Sequence, residues 1–141
     1  MKKQSKIVVD TGVLVSAYAF GGVPREAVRK TMDDSIIIVS PALLEEYREV
    51  PLQLAKQRKI NHIQLKALIS GISIFVSESR IVYPKKRLFL CRDEKDNMLL
   101  ECCLEAKAEL LITGDKDLLD IEDLPFPLKI LTPGAYVRRK E

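Results

Sequence analysis

The sequence is poor in the residues that build zinc centres, disulfide frameworks and aromatic stacking surfaces. It has no tryptophan, a single histidine (His62) and an aromatic content of only 6%. The three cysteines include the adjacent pair Cys102 and Cys103, which cannot form a CxxC motif. A zinc site or a disulfide framework is therefore not expected, and buried free thiols on a helix are the simpler interpretation.

Long apolar segments are lacking as well. The longest apolar runs, Ile36–Val39 and Leu110–Ile112, have the length of a strand, whereas a membrane-spanning helix needs roughly 18 to 20 residues. No apolar segment of signal-peptide length follows Met1. We therefore expect a cytoplasmic protein with no membrane association.

Charge alone does not identify a partner. The net charge is +3, from 23 basic and 20 acidic residues, which is too mild an excess to indicate a nucleic-acid binder. Hydrophobic residues make up 47% of the 141 residues, as in ordinary globular proteins. Because no repeat or linker-like segment interrupts the chain, we expect one domain over residues 1–141.

Strand-like and helix-like segments alternate along the chain. Continuous apolar runs predict strands at 7–9, 36–39, 81–83, 110–113 and 129–132, and the segments between them show helical signals. The predicted helices cover 12–20, 25–32, 41–49, 65–72, 97–108 and a short piece at 118–119. This pattern predicts an α/β fold with a mainly parallel sheet and helices on both faces.

Two aspartates stand at or just past the ends of predicted strands. Asp10 and Asp115 each stand at the carboxyl end of an apolar run, which is the edge where parallel sheets bind ligands. Carboxylates gathered at one edge repel each other, and a hard divalent cation such as Mg²⁺ relieves that repulsion. Glu46, early in the helix after the second strand, is expected near the same edge. Asp96 begins a predicted helix, so it is either a metal ligand or a helix cap.

Several other chemistries lack their motifs. The sequence contains neither GxxxxGK[ST] nor GxGxxG, and no histidine is placed for a nucleophile–histidine pair. A phosphatase with an aspartyl nucleophile would need a second acid two residues after Asp10, where this chain has Gly12. The acids therefore point to metal-assisted chemistry.

Four segments carry a resemblance to a known family. Residues 7–17 (IVVDTGVLVSA), 40–50 (SPALLEEYREV), 93–97 (DEKDN) and 111–119 (LITGDKDLL) resemble, in order and spacing, the PIN (PilT N-terminal) domain family. The similarity is closest to a branch regarded as toxins of toxin–antitoxin pairs, and it extends to residues 130–133. The resemblance implies a Rossmann-like three-layer α/β/α sandwich, Mg²⁺- or Mn²⁺-dependent cleavage of single-stranded or structured RNA, and an antitoxin protein as partner.

The resemblance also assigns residues. The four family acids correspond to Asp10, Glu46, Asp96 and Asp115, with Asp117 as a further acid. Thr113 and Ser16 match polar positions that orient a carboxylate or a water molecule. Gly12 departs from the family, which usually has asparagine there, and Glu46 is preferred over Glu45 because it directly precedes Tyr47.

The expected mechanism divides these acids by role. Asp10, Asp96 and Asp115 would hold the principal ion, Glu46 would bind it through water or orient the nucleophile, and Asp117 would hold a second ion. Basic residues should flank the acids to receive phosphates, with Arg92 and Lys116 as the nearest. Other candidates for this basic track are Lys85, Lys86, Arg87, Arg25, Arg48 and residues 138–140.

Two alternatives stay open from the sequence. A catalytically degenerate module that only binds RNA or protein is favoured by Gly12 and opposed by the four retained acids. A metal-dependent phosphatase acting on a small molecule uses the same ligands. The apolar helical stripes fit a homodimer as well as a monomer.

Overall fold

The computed structural model describes residues 4–139 and contains one five-stranded sheet. The strands are listed in chain order as β1 (Lys6–Val9), β2 (Ile36–Val39), β3 (Arg80–Ile81), β4 (Leu110–Ile112) and β5 (Lys129–Leu131). Their order across the sheet is β3-β2-β1-β4-β5, and every pairing is parallel. The predicted α/β fold with a parallel sheet is confirmed.

Helices connect the strands and flank the sheet. They are α1 (Thr11–Val15), which continues into a π-helical turn (Ser16–Phe20), α2 (Gly22–Asp34), α3 (Pro41–Lys56), α4 (His62–Ser77), α5 (Glu94–Ala106), α6 (Lys116–Leu119) and α7 (Pro133–Arg138). No helix within residues 4–139 is both long enough and apolar enough to cross a bilayer.

The central strands form the middle of the core. The residues from Ile7 to Val9, from Ile37 to Val39 and from Leu110 to Ile112 are each no more than 2% exposed. Strands covered on both faces need apolar side chains at every position, not at alternate ones. Burial of these strands on both faces therefore explains the unbroken runs of β-branched residues and leucines in the sequence.

Several predicted boundaries were wrong. The strand expected at 81–83 ends at Ile81, with one further hydrogen bond from Val82 N to the Val39 carbonyl, because it lies at the sheet edge just before Pro84. The helix expected at 12–20 changes to π-helical geometry at Ser16 and stops at Gly21, whose φ of 84° favours glycine. The helix from Pro41 continues to Lys56 despite Pro51, which is buried within it.

The strand order places a switch point between β1 and β4. The chain runs outward from β1 through β2 to β3 and then returns to the other side of β1 for β4 and β5. The connections after β1 and β4 leave the sheet in opposite directions and open a crevice at the carboxyl ends of these strands. Asp10 and Thr113 directly follow the two strands that flank this crevice.

Candidate metal centre

A short hydrogen-bond chain joins the ends of β1 and β4. Thr113 Oγ1 donates to Asp10 Oδ2 at 2.6 Å and accepts from the backbone N–H of Asp115 at 3.0 Å. Thr113 is fully buried, so its hydroxyl has these two partners and a fixed orientation. It therefore fixes the position of the Asp10 carboxylate and the backbone of Asp115 relative to each other.

Asp115 caps the short helix α6 and thereby brings Asp117 to the crevice. Its Oδ1 accepts from the backbone N–H of Asp117 at 2.9 Å. The Asp117 carboxylate lies 3.5 Å from Arg92, and both side chains are largely exposed. An exposed ion pair of this kind contributes little stability, so Asp117 is available to other partners.

Asp96 is buried in the first turn of α5 and is not the helix cap. The cap is Asp93, whose side chain accepts from Lys95 N at 3.0 Å, while Asp96 is only 5% exposed. The capping alternative for Asp96 was therefore wrong, because the helix begins at Glu94, three residues earlier than predicted. Burial, followed by the negative charge and the close carboxyl of Asp115, raises the pKa of Asp96 to about 7.

Glu46 reaches the crevice from α3. The Thr11 hydroxyl donates to its Oε1 at 3.3 Å, and Lys95 Nζ lies 3.3 Å from its Oε2. The following residue, Tyr47, is buried and donates to the Val9 carbonyl at 2.5 Å, which attaches α3 to the end of β1. Glu46 lines the same cleft as Asp10, whereas Glu45 does not.

The acids line one small cleft. Its volume is about 160 Å³, and its walls include all four predicted family acids, Asp10, Glu46, Asp96 and Asp115. Carboxylate oxygens of Asp96, Asp115 and Asp117 lie within 4.8 Å of one another. Burial raises the pKa of Asp10, with a smaller contribution from the charges of Asp115 and Glu46, and the Thr113 hydrogen bond opposes this rise.

The donor set fits a hard divalent cation. Oxygen atoms of carboxylates and hydroxyls line the cleft, and no histidine or cysteine does so within the described residues. Across residues 4–139, neither Asp10, Asp96 nor Asp115 has a lysine or arginine partner that neutralises it. Mg²⁺ and Mn²⁺ prefer such ligands, whereas zinc and copper sites favour nitrogen and sulfur.

Other predicted residues lie in different places. Ser16 is on the π-helical turn and does not line the cleft, whereas Thr11 does. Lys116 is exposed beside Asp115, and Gly12 is exposed with open space around it. The sequence prediction missed Thr11 and Lys95, although each directly neighbours a predicted acid, so their adjacency to Asp10 and Asp96 was the available signal.

Two residues of the proposed extension of the basic track, Arg48 and Arg139, lie away from the acids. Arg48 lines a groove between α3 and α4, away from the acids, and Arg139 lies near Ser5 and Ser35 at the opposite edge of the sheet. Arg25 is exposed on α2 near Tyr18, and Lys140 lies outside the described residues. Of the remaining candidates, Arg87 and Arg92 line a groove that adjoins the cleft.

Comparison with known proteins places this chain in a family. A family profile described as "PIN domain" matches residues 6–117. An uncharacterized protein of Methanocaldococcus jannaschii, MJ1680, is 34% identical over 151 aligned positions, covering 99% of this chain and 94% of the relative.

Two solved structures share the fold. The crystal structure of VapBC2 from Rickettsia felis, bound to a DNA fragment from their promoter, aligns with a TM-score of 0.58 and 14% identity, covering 90% of this chain and 98% of the other. A domain of a functionally unknown protein from Methanocaldococcus jannaschii aligns with a TM-score of 0.51 and 16% identity, covering 89% and 96%. The family profile covers well over half of the chain, and it includes all four acids. The chain belongs to the PIN domain family.

Proposed function

We propose that this protein is a Mg²⁺- or Mn²⁺-dependent endoribonuclease and the toxin of a toxin–antitoxin pair. The observation that carries the proposal is that Asp10, Asp96 and Asp115 line one cleft at the switch point of the sheet and that, among residues 4–139, none of the three forms an ion pair. Burial and neighbouring negative charge raise the pKa of Asp10 and of Asp96, which makes their ionised forms unfavourable in the metal-free protein, and a bound divalent ion would relieve this.

The ligands follow from position. Asp96 and Asp115 would hold the ion together with Asp10, and Asp117 is close enough to Asp96 and Asp115 to join them. A bound divalent ion lowers the pKa of a coordinated water and stabilises charge on phosphoryl oxygens.

Neighbouring side chains fix the orientation of the Asp10 and Glu46 carboxylates. Thr113 orients Asp10 and favours its charged form, since a hydrogen bond to a carboxylate lowers its pKa. Thr11 and Lys95 hold both oxygens of Glu46, so Glu46 is placed to accept a proton or orient a water at the border of the cleft. Because its own oxygens already have partners, we propose that Glu46 acts through water and does not bind the ion directly.

RNA as the substrate is supported by the cations beside the cleft. Lys95 lines the acidic cleft itself, and Arg87 and Arg92 line the groove next to it. Phosphate contacts by such residues should make RNA binding weaken as salt concentration rises. Basic residues around an acidic cleft can bind the phosphates of a nucleic acid while the cleft itself binds the metal ion.

The partner assignments rest on the family and on the fold neighbour. The VapBC2 structure is a complex bound to promoter DNA, and we infer by analogy that an antitoxin protein binds this chain. We also propose that the chain can form a homodimer. Light scattering of the purified protein, alone and co-expressed with the product of a neighbouring gene, would test both assignments.

The decisive experiment is RNA cleavage by Asp115→Asn. The change removes a charge that the ion needs but keeps the size of the side chain and an oxygen that can accept from Asp117 N, so the fold should be preserved. Cleavage of labelled RNA in Mn²⁺ should fall by orders of magnitude because water activation and leaving-group stabilisation are lost together. Asp123→Asn, the same change at an exposed position outside the cleft, is the matched control.

Each other outcome has a definite meaning. A purified Asp115→Asn protein that cleaves RNA at the wild-type rate would refute the site assignment. Metal binding without cleavage of RNA or of phosphate esters would identify a catalytically degenerate binding module. Hydrolysis of a generic phosphate monoester, with RNA left intact, would instead identify a phosphatase.

A further inference from the structure

A fixed segment of chain lies across α5 beside the acidic cleft. This segment, residues 84–92, is called the strap. Three α5 side chains spaced four residues apart accept hydrogen bonds from its backbone: Asn97, Glu101 and Glu105. Asn97 accepts from the N–H groups of Leu90 and Cys91, Glu101 accepts from that of Leu88, and Glu105 accepts from that of Lys85. The four distances lie between 2.8 and 3.1 Å. The strap therefore has a defined conformation although it is neither helix nor strand.

The strap directs a large aromatic side chain outward. Leu88 and Cys91 pack against the core, whereas Phe89 between them is 85% exposed. Phe89 borders a groove of about 680 Å³ between the strap and α3. Glu46 and Lys95 line both this groove and the acidic cleft, so the two cavities adjoin each other. A volume in this range accommodates a small organic group.

The two walls of the groove differ in charge. Arg87, Arg92 and Lys95 lie on the side of the strap and α5, whereas Glu45 and Glu49 lie one turn apart on α3. Within residues 4–139, neither Glu45 nor Glu49 has an ion-pair or hydrogen-bond partner. Two unpaired acceptors therefore line the same groove as an exposed aromatic ring and a group of cations.

We propose that this groove is a nucleobase-binding subsite that prefers bases with an exocyclic amino group. The proposal rests on the proposed ribonuclease function and adds a base preference to it. A base would stack on Phe89, its amino group would donate to the Glu45 or Glu49 carboxylate, and the adjoining phosphates would contact Arg87, Arg92 or Lys95. Adenine, cytosine and guanine carry such an amino group.

Uracil is the base that this arrangement disfavours. It has carbonyl oxygens where the other bases carry amino groups, and its single N–H donor lies between two carbonyls. Carboxylates accept from amino groups but repel carbonyl oxygens, as in the recognition of the cytosine amino group by acidic side chains. Because stacking itself is tolerant of sequence, the discrimination must come from the α3 wall.

Binding can be measured apart from cleavage. Fluorescence anisotropy of the full chain in chelator, with labelled oligomers of adenosine, cytidine or uridine, reports affinity when no metal-dependent cleavage can occur. The adenosine and cytidine oligomers should bind about tenfold more tightly than the uridine oligomer. Phe89→Ala should weaken binding of the adenosine oligomer about tenfold, whereas Phe89→Tyr should keep it. Phe20→Ala, at another exposed phenylalanine outside the groove, is the control and should have no effect.

The preference itself is tested on α3. In a Glu45→Gln/Glu49→Gln double variant, each amide can donate to uracil O4 as well as accept from an amino group. The ratio of adenosine to uridine affinity should therefore fall from about tenfold to near equality. Glu26→Gln, an exposed glutamate on α2, is the matched control and should keep the wild-type ratio.

Failure of the subsite and failure of the nuclease are distinguishable. Equal affinity for the three oligomers, no measurable binding of any of them, or full affinity in Phe89→Ala would overturn the subsite; the groove would then fit a protein partner better. Base-selective binding without cleavage in Mn²⁺ would support the subsite and refute the nuclease. Cleavage that is lost in Asp115→Asn but unchanged in Phe89→Ala and in the Glu45→Gln/Glu49→Gln double variant would support the nuclease and refute the subsite.

Discussion

Replacing Asp96 with asparagine should stabilise the metal-free protein near neutral pH while weakening its response to divalent metal. In the unfolded chain Asp96 has its ordinary pKa of 3.8, whereas burial and Asp115 raise the pKa to about 7 in the folded protein. Between these values the native state binds more protons than the unfolded state. The free energy of unfolding should therefore decrease as pH rises from about 4 to about 7 and level off above that range.

The size of the effect follows from the pKa difference and the position of the cleft. A pKa change of one corresponds to about 1.4 kcal/mol, so the full difference would reach ~4 kcal/mol. Structural relaxation and water penetration reduce the penalty for a buried charge in real proteins, so we expect ~1 to 2 kcal/mol. A negative charge in the first turn of α5 is also favoured by the helix dipole, by about 0.3 to 1 kcal/mol. The two effects have opposite signs, and the burial effect is the larger.

Urea unfolding in chelator at two pH values measures this balance. Wild-type protein should be more stable at about pH 5 than at about pH 8, and Asp96→Asn should reduce that difference by ~1 to 2 kcal/mol. Glu94→Gln, an exposed change in the same helical turn, is the control: it removes the same helix-dipole contribution of about 0.3 to 1 kcal/mol but should leave the difference in stability between the two pH values nearly unchanged. Millimolar Mn²⁺ should raise the Tm of the wild type and have a smaller effect on Asp96→Asn, since only native protein binds the ion.

One result would refute this reasoning. Suppose that Asp96→Asn is less stable than wild type at both pH values and that wild-type stability does not depend on pH. The ionised Asp96 carboxylate then does not destabilise the folded protein. The inference that its burial indicates a metal ligand would then lose its energetic support.

Three further substitutions test the fold and the family departure. Gly71→Ala should destabilise the protein by roughly 1 to 3 kcal/mol, because an added Cβ would lie 2.3 Å from the Tyr18 ring; urea unfolding measures the loss. Gly12→Asn has open space around it, so it should change stability by no more than about 0.5 kcal/mol in the same assay and cleave RNA at the wild-type rate or faster. Tyr47→Phe should cost about 1 kcal/mol by removing the buried hydrogen bond to Val9, whereas the same change at exposed Tyr83 should have no measurable effect on unfolding.

Much of the fold could be predicted because its cause is local. A strand buried on both faces must be apolar at every position, so Ile7–Val9 and Leu110–Ile112 are recognisable without tertiary information. Boundaries were less predictable. The π-helical turn at Ser16 and the continuation of α3 past Pro51 depend on packing against other elements, and packing overrides local preference.

The placement of Asp10 and Asp115 was also determined by the sequence. Each follows an apolar run, and the carboxyl ends of parallel strands meet at one edge of a sheet, so proximity follows from topology. What the sequence could not decide is which neighbours complete the cleft. Thr11 contacts Glu46 across 35 positions of sequence, and Thr113 contacts Asp10 across 103.

Only the tertiary structure decided the environment of Asp96 and the surface on which each basic side chain lies. The sequence left open whether Asp96 caps the helix until the start of α5 was fixed at Glu94, and its raised pKa depends on burial and on Asp115, nineteen residues away. Lys95 pairs with Glu46, whereas Arg48 and Arg139 face other surfaces, although all three are equally plausible phosphate ligands in a linear sequence. Burial and charge pairing depend on which distant segments of the chain come into contact. A linear sequence pattern predicts such contacts only where the strand topology requires them, as it does for Asp10 and Asp115.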